Sequence, residues 1–206
     1  PETQAIIRKL RALLDTYPDR AMVAEPLLGD ARAYYGSGRD MFHMAFDFSY
    51  GYFWGVAFSA RSRKLVDVSM AQSAAFPEGA QNALVIGSHD VQRAFTVASG
   101  HEWRQRRAAE IQLLRRGTPF VYYGEEVGQP QLPVPPGDQP LRGPMSWAPD
   151  AQRAGFTTGR PFRPVAPPGA TNNAATQVAD PRSIHAFYKA LIGLRNRHAS
   201  IACGRY

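Results

Sequence analysis

The chain has 206 residues, 44% of them hydrophobic and 11% aromatic, a composition that fits a globular domain and excludes a disordered or fibrous protein. No apolar run is long enough to cross a bilayer, and charge interrupts the opening PETQAIIRKL, so we expect neither a membrane span nor a signal peptide. The single cysteine, Cys203, excludes an internal disulfide framework and a multi-cysteine metal site. We therefore expect a soluble, cytoplasmic protein.

The chain is basic, with a net charge of +7 and an isoelectric point near 9.9, which raises the question of nucleic-acid binding. The basic residues are spread from Arg8 to Arg205, and the densest stretch, over 104–116, shares a predicted helix with Glu102 and Glu110. It carries no RNA-binding or zinc-finger signature. A solvated helix face accounts for this charge, and we expect no nucleic-acid partner.

Apolar periodicity and turn residues predict alternating helices and strands. In chain order the predicted elements are a helix over 2–16, a strand over 21–25, helices over 49–60 and 61–76, a strand over 83–87, a helix over 101–116, a strand over 119–124 and a last helix ending near residue 197. Asp180 is the predicted N-cap of the last helix, and Pro181 its first residue. This alternation indicates an α/β fold with a parallel sheet and helical crossovers.

Polar residues follow each predicted strand. Glu25 follows the first, Ser88-His89-Asp90 the second and Glu125-Glu126 the third. A (β/α)₈ barrel builds its active site from the carboxyl ends of several strands, so this pattern favours a barrel. No GxGxxG opens a helix, which leaves a dinucleotide-binding fold unsupported. Residues 129–178, rich in proline, glycine, asparagine and threonine, are predicted to form a long irregular loop, and such loops are usually functional.

The polar residues after the first two predicted strands suit the cleavage of a glycosidic bond. This reaction needs one carboxyl group to protonate the leaving oxygen and another beside the sugar. Glu25 follows apolar residues and suits the acid, although a glutamate after a strand is commonly a plain loop residue. His89 and Asp90 can bind sugar hydroxyls, but a packed histidine beside a capping aspartate gives the same pattern.

Five ordered segments resemble the alpha-amylase family of glycoside hydrolases. GTPFVYYGEEVG, residues 117–128, is similar to that family's eighth-strand segment. GSHDVQR, residues 87–93, is similar to the motif after the seventh strand, and AMVAEP, residues 21–26, to the fifth-strand motif that ends in the acid/base glutamate. PMSWAPDAQRAGFTTGRPFRPV, residues 144–165, and the segment from Asn172 to His198 resemble the alpha-glucosidase, oligo-1,6-glucosidase and trehalose synthase branch.

This resemblance implies a partial (β/α)₈ TIM barrel containing the fifth to eighth strands. It makes Glu25 the general acid/base, Asp90 the transition-state stabiliser, His89 a ligand of sugar hydroxyls and Arg93 a contact in the neighbouring subsite. Phe156 lines a subsite or packs internally. The implied substrates are malto- and isomalto-oligosaccharides, cleaved with retention. No cofactor is implied, and no residue is assigned as a metal ligand.

Three further residues complete this expectation. Trp147 offers a ring face for stacking on a sugar, or else belongs to the core. Glu125 and Glu126 are expected to act as hydrogen-bonded anchors and not as catalysts.

The sequence also departs from the family pattern. Ser88 stands where the family has asparagine, Ser146 where it has glutamine and Ala148 where it has aspartate, and the stretch between Gly128 and Pro144 is short. The motif of the nucleophilic aspartate would lie upstream of Pro1.

We therefore expect a fragment of the enzyme, inactive alone. Residues 1–199 would form the second half of the catalytic barrel, and residues 200–206 the start of a C-terminal β-sandwich domain. Exposed barrel edges would favour self-association. The alternative is a non-catalytic carbohydrate-binding or assembly partner built on a half barrel.

Overall fold

The computed structural model describes residues 2–26, 31–48, 71, 77–133, 139–166 and 171–204. Apart from residue 71, the helices predicted over 49–60 and 61–76 lie outside the described residues. The chain divides into two compact units. The first unit is Pro1–Val85 with Gly117–Phe120, and the second is Ile86–Arg116 with Val121–Tyr206.

The described residues form helices and four short strands. They are α1 (Glu2–Leu14), β1 (Val23–Ala24), a 3₁₀ helix (Ala31–Tyr34), β2 (Met44–Asp47), β3 (Gln81–Leu84), α2 (Ala94–Val97), α3 (Glu102–Leu113), β4 (Thr118–Pro119), 3₁₀ helices Glu125–Val127 and Gln139–Arg142, α4 (Ala174–Ala179), α5 (Ile184–Arg197) and α6 (Ala199–Cys203). None of the described helices combines the length and apolar character needed to span a membrane.

The first unit is built on a four-stranded parallel sheet in the order β1-β2-β3-β4. The parallel arrangement was predicted, but β2 was not. Strand β3 lies slightly before the strand predicted over 83–87, and β4 shares only Pro119 with the strand predicted over 119–124, which is therefore wrong over its remaining residues. Gly117 leads into β4 with a φ of 125°, and a Cβ atom there would lie 2.7 Å from the Asn82 carbonyl oxygen. A side chain at this position would therefore push β4 away from β3.

Small residues on this sheet make room for one aromatic ring. Tyr35 is fully buried with Ala24, Ala45 and Ala80, and its hydroxyl donates to the Gln81 carbonyl at 2.8 Å. Burial raises the pKa of Tyr35 to about 12. The ring thus fills the space above the alanines while its hydroxyl keeps a partner.

Helix α1 has the predicted apolar stripe, but none of its residues is buried. Ile6 is 58% exposed, Leu10 51% and Leu13 58%. Polar contacts attach α1 as well, since the Arg11 guanidinium donates to the carbonyl oxygens of Arg39 and Met41 at 2.9 and 3.1 Å.

The core of the second unit lies between α3 and α5. It is formed by apolar side chains from α2, α3 and α5: Phe95, Ala109, Leu113, Ile184, Tyr188 and Leu191. The buried Arg195 of α5 donates to the carbonyl oxygens of Leu113 and Arg115 at 2.9 and 2.7 Å. This guanidinium therefore joins α5 to the end of α3 and to the residues just after it.

Helix α5 ends at Arg197 as predicted, but its predicted start is wrong. The N-cap is Ser183, whose hydroxyl accepts from the Ala186 amide at 3.1 Å. Asp180 instead accepts from the Arg182 amide at 2.8 Å in a turn before the helix, so Pro181 is not helical. The aspartate stabilises the approach to the helix and the serine caps it.

The predicted irregular loop over 129–178 is partly helical. It contains the 3₁₀ helix Gln139–Arg142 and, at its end, α4, which is capped by the Asn173 side chain accepting from the Thr176 amide at 2.9 Å. The expectation of an irregular chain up to 178 is thus wrong over the last residues. Helix α6 occupies the predicted start of a further domain, and that boundary stays a prediction.

Candidate active site

Glu25 directly follows β1 and belongs to the first unit. Ala24 pairs with Ala45 of the parallel strand β2, so the glutamate lies at the carboxyl end of the sheet. The side chain is exposed. A carboxyl group at this position can exchange a proton with a ligand above the sheet, as the barrel prediction requires.

His89 and Asp90 follow β3 in the chain and belong to the second unit. Ser88 shapes this turn, because its hydroxyl accepts from the backbone amides of Asp90 and Val91, both at 3.1 Å. The hydroxyl that replaces the family's asparagine therefore still organises the backbone. The histidine Nε2 lies 3.2 Å from Asp90 Oδ2, which brings the two predicted sugar ligands together.

Arg142 is a site residue that sequence reasoning missed. Its Nη2 donates to Asp90 Oδ1 at 2.8 Å and its Nε donates to the His89 carbonyl at 3.2 Å. It lies at the end of a 3₁₀ helix within the proline-rich stretch, with no periodicity to mark it. The only signal is its place two residues before the segment 144–165 that resembles the family.

Arg93, predicted to contact a neighbouring subsite, is only 2% exposed. Its Nε donates to the Leu141 carbonyl at 3.0 Å and its Nη1 to the Tyr123 carbonyl at 2.8 Å. Its guanidinium lies 4.7 Å from the ring centre of Tyr122 and 4.6 Å from that of Tyr123. Burial lowers the pKa of Arg93, and the two tyrosines oppose this effect. This placement favours an internal role over direct contact with a sugar.

Glu125 is a buried acid, 4% exposed, that belongs to a polar network. The Tyr188 hydroxyl donates to its Oε1 at 2.7 Å, and Gln105 Nε2 donates to the Tyr188 oxygen at 2.9 Å. Burial raises the pKa of Glu125 to about 8, so the carboxyl group is largely protonated at neutral pH. The network fits the anchoring role expected for Glu125.

Trp147 and Phe156 are both exposed, at 52% and 54%. The loop between them is closed by the backbone amides of Trp147 and Ala148, which donate to the Ala154 carbonyl at 2.8 and 3.0 Å. Exposure on this scale does not support the core-packing alternative for either ring. Their place in a sugar subsite stays a prediction.

The chain combines a parallel α/β fold with ionisable side chains that follow its strands. Enzymes built on (β/α)₈ barrels share both features. The sequence profile "Alpha amylase, catalytic domain" matches residues 1–204. The chain therefore belongs to the alpha-amylase family, and its fold is that of a partial (β/α)₈ barrel.

Curated relatives and solved structures agree with this assignment. The chain is 27% identical over 252 aligned positions to the trehalose synthase/amylase of Mycobacterium tuberculosis, covering 100% of this chain and 41% of that protein. It is 29% identical over 164 positions to the oligo-1,6-glucosidase of Parageobacillus thermoglucosidasius, covering 61% and 29%. The chain thus spans well under half the length of these relatives.

The crystal structure of the trehalulose synthase MutB from Pseudomonas mesoacidophila MX-45 superimposes with a TM-score of 0.80 at 22% identity, covering 100% of this chain and 45% of that one. At this identity the superposition shows the shared fold alone.

Proposed function

We propose that this chain supplies the acid/base and one further carboxylate to a retaining glycoside hydrolase that acts on the alpha-glucosidic bonds of malto- and isomalto-oligosaccharides. The observation that carries the proposal is the position of Glu25. It follows β1 directly, at the carboxyl end of a parallel sheet, in a chain of the alpha-amylase family. This is the edge where barrel enzymes place catalytic groups.

In the first step of a retaining mechanism, Glu25 donates its proton to the glycosidic oxygen as a second carboxylate attacks the anomeric carbon. The leaving alcohol departs and a glycosyl-enzyme ester remains. In the second step Glu25 takes a proton from water, which attacks the ester and releases the sugar. No segment of residues 1–206 resembles the family motif of the attacking aspartate, and the proposal assigns this group to a part of the enzyme outside these residues.

Asp90 stabilises the oxocarbenium-like centre by its negative charge in this proposal. Its carboxylate has a cationic partner, Arg142, on Oδ1, and His89 next to Oδ2. A carboxylate held in one orientation interacts better with a developing positive charge than a freely rotating one. His89, half exposed, can also donate to a sugar hydroxyl.

The test compares the 206-residue chain alone with the chain fused to the first four barrel strands of the oligo-1,6-glucosidase relative. We expect no turnover of p-nitrophenyl alpha-glucoside or maltose by the chain alone, and alpha-glucosidase activity in the fusion. Glu25→Gln should lower the rate of the fusion on maltose by about 10²–10⁴-fold, the range of general acid catalysis. The matched control is Glu78→Gln, which changes an exposed glutamate of the same unit.

The two substrates separate the roles of the two carboxylates. p-Nitrophenyl alpha-glucoside has a good leaving group that needs little protonation, so Glu25→Gln should slow it less than maltose. Asp90→Asn should slow both substrates alike, because its role concerns charge on the sugar ring. Steady turnover by the chain alone, abolished by Glu25→Gln, would contradict the proposal and identify another carboxylate, such as Asp47 or Glu125, as the nucleophile.

The alternative of a non-catalytic carbohydrate-binding protein predicts another pattern. Maltose would bind to the chain in calorimetry, and neither Glu25→Gln nor Asp90→Asn would affect any rate in the fusion. No contact in the described residues favours this alternative.

A further inference from the structure

We propose that Arg93, Tyr122 and Tyr123 form a clamp that fixes residues 139–143, and that Arg142, held by this clamp, orients the carboxylate of Asp90. Arg142 is then a positioning residue for the reaction, and the clamp acts through it. This inference rests on the proposed function of Asp90.

The first step is the contact between Arg142 and the turn that carries Asp90. Arg142 donates from Nη2 to Asp90 Oδ1 and from Nε to the His89 carbonyl, at 2.8 and 3.2 Å. Because the guanidinium is planar, these two bonds fix the carboxylate relative to its own backbone. The side chains of Arg142 and Asp90 are 34% and 43% exposed, so solvent screens their attraction. The pair therefore contributes orientation more than stability.

The second step concerns the backbone on either side of Arg142. The carbonyl groups of its two chain neighbours both accept hydrogen bonds from side chains. The Leu141 oxygen accepts from Arg93 Nε at 3.0 Å and from the Tyr122 hydroxyl at 3.1 Å. The Gly143 oxygen accepts from the Tyr123 hydroxyl at 2.6 Å. Hydrogen bonds on both sides thus determine where the arginine side chain leaves the backbone.

The third step is the rigidity of the clamp. Arg93 is 2% exposed, with its guanidinium 4.7 and 4.6 Å from the centres of the two tyrosine rings, and it also donates to the Tyr123 carbonyl. The ring centres of Tyr122 and Tyr123 are 4.6 Å apart. A buried cation between two rings and two carbonyl groups has few alternative positions. Supporting groups of this kind hold catalytic groups to within fractions of an ångström.

One test needs no catalysis. In the ¹⁵N-labelled 206-residue chain, the Nε–H resonance of Arg142 reports its bond to the His89 carbonyl, and its loss in Arg142→Lys assigns it. Tyr123→Phe keeps the ring and removes only the hydroxyl that binds Gly143, and Arg93→Lys keeps the charge and removes the planar fork. Both variants should shift or broaden the Arg142 resonance. Tyr17→Phe, at an exposed tyrosine of the other unit, should leave it unchanged.

The second test uses the active fusion. Arg142→Met should lower kcat by about 10²-fold with KM changed less than about twofold, since misplacement of a reacting group costs on this order. Arg142→Lys should recover part of the loss because it restores one bond to Asp90. Tyr123→Phe should lower kcat by roughly fivefold to tenfold through loss of a single hydrogen bond.

An effect of Arg142→Met confined to KM would overturn the inference and make Arg142 a plain sugar contact. So would an unchanged Arg142 resonance in folded Tyr123→Phe and Arg93→Lys chains. Rates that are insensitive to Asp90→Asn would instead defeat the proposed function, and the resonance would still decide whether the clamp holds Arg142.

Discussion

Helices α1 and α5 carry the same kind of apolar stripe but have different surroundings. Along α5, Ile184, Tyr188, Leu191 and Arg195 are buried, whereas α1 has no buried residue in the described structure. Periodicity identifies the residues that share a helix face, because they recur at the helical period. Whether another element covers that face depends on tertiary contacts, which the local pattern does not contain.

Helices α1 and α5 are also attached to their units by different kinds of polar contact. In the second unit, buried polar side chains join its elements, as Glu125, Tyr188 and Gln105 do. In the first unit, α1 is attached by an arginine on backbone carbonyls near the surface. Substitutions in α5 should therefore affect stability more than substitutions in α1, and the predictions that follow test this difference.

The largest effect is expected from removing core volume in α5. Ile184 is fully buried, so Ile184→Ala should lower the free energy of unfolding by about 2–5 kcal/mol. Ile6→Ala in α1, at a side chain that is 58% exposed, should cost less than about 0.5 kcal/mol. Urea unfolding followed by circular dichroism measures both. Equal losses would show that α1 is packed in solution.

A smaller effect is expected from pH, through Glu125. Its pKa is raised from 4.5 to about 8 in the folded chain, so the folded state holds a proton that the unfolded state has released between these values. Its contribution to stability is complete below pH 4.5 and is lost as the pH rises through 8. Between pH 6 and pH 7 the loss should approach about 1.4 kcal/mol.

The matched variant for this prediction is Glu125→Gln, which keeps an acceptor for the Tyr188 hydroxyl but cannot ionise. Urea unfolding at pH 6, 7 and 8 should show a downward trend in the wild-type chain and a flatter one in the variant. Parallel trends in the two chains would mean that another group is responsible.

A change of about 1 kcal/mol is expected at the start of α5. Ser183→Ala removes the hydroxyl that caps the helix and should lower the free energy of unfolding by that amount. Asp180→Ala removes only a turn contact outside the helix and should cost a few tenths of a kcal/mol. Thermal and urea unfolding of the two variants compare the caps directly, and a larger loss at Asp180 would favour the cap predicted from the sequence.

The smallest effect on stability is expected from charge on the stripe of α1. Leu10→Lys should change the free energy of unfolding by less than about 0.5 kcal/mol, because this side chain is 51% exposed. It should nevertheless weaken any self-association through the apolar stripe. Sedimentation velocity of both chains over a range of concentrations measures this. Equal self-association in the two chains would show that α1 takes no part in it.

Much of the fold could be predicted from local signals. Apolar segments identified α1, α3, α5, β1 and β3, whereas the strand predicted over 119–124 meets β4 at Pro119 alone. Strand β2 was not predicted, because Met44–Asp47 is short and lies next to further aromatic residues, so the sequence does not mark where the strand begins and ends. The cap of α5 was misplaced because Asp180-Pro181 has the composition of a helix start, while the actual choice depends on where Ser183 meets the Ala186 amide.

The candidate site was less predictable than the fold. Glu25, His89 and Asp90 could be found because each follows a predicted strand. Arg142 could not, since its contact with Asp90 joins residues 52 positions apart through an irregular segment. The burial of Arg93 could not be predicted either. An arginine after a motif has the same sequence pattern whether it binds a ligand or a backbone carbonyl group.

The bond from Arg195 to the end of α3 has a consequence for synthesis on the ribosome. Its acceptors, Leu113 and Arg115, emerge 82 and 80 residues before their donor. At roughly 5–20 residues per second, on the order of 4–16 seconds pass before the Arg195 guanidinium can bond to these carbonyl groups. The second unit can therefore reach its final packing only after α5 has left the exit tunnel, and a nascent chain stalled before Arg195 would expose α3 to chaperones.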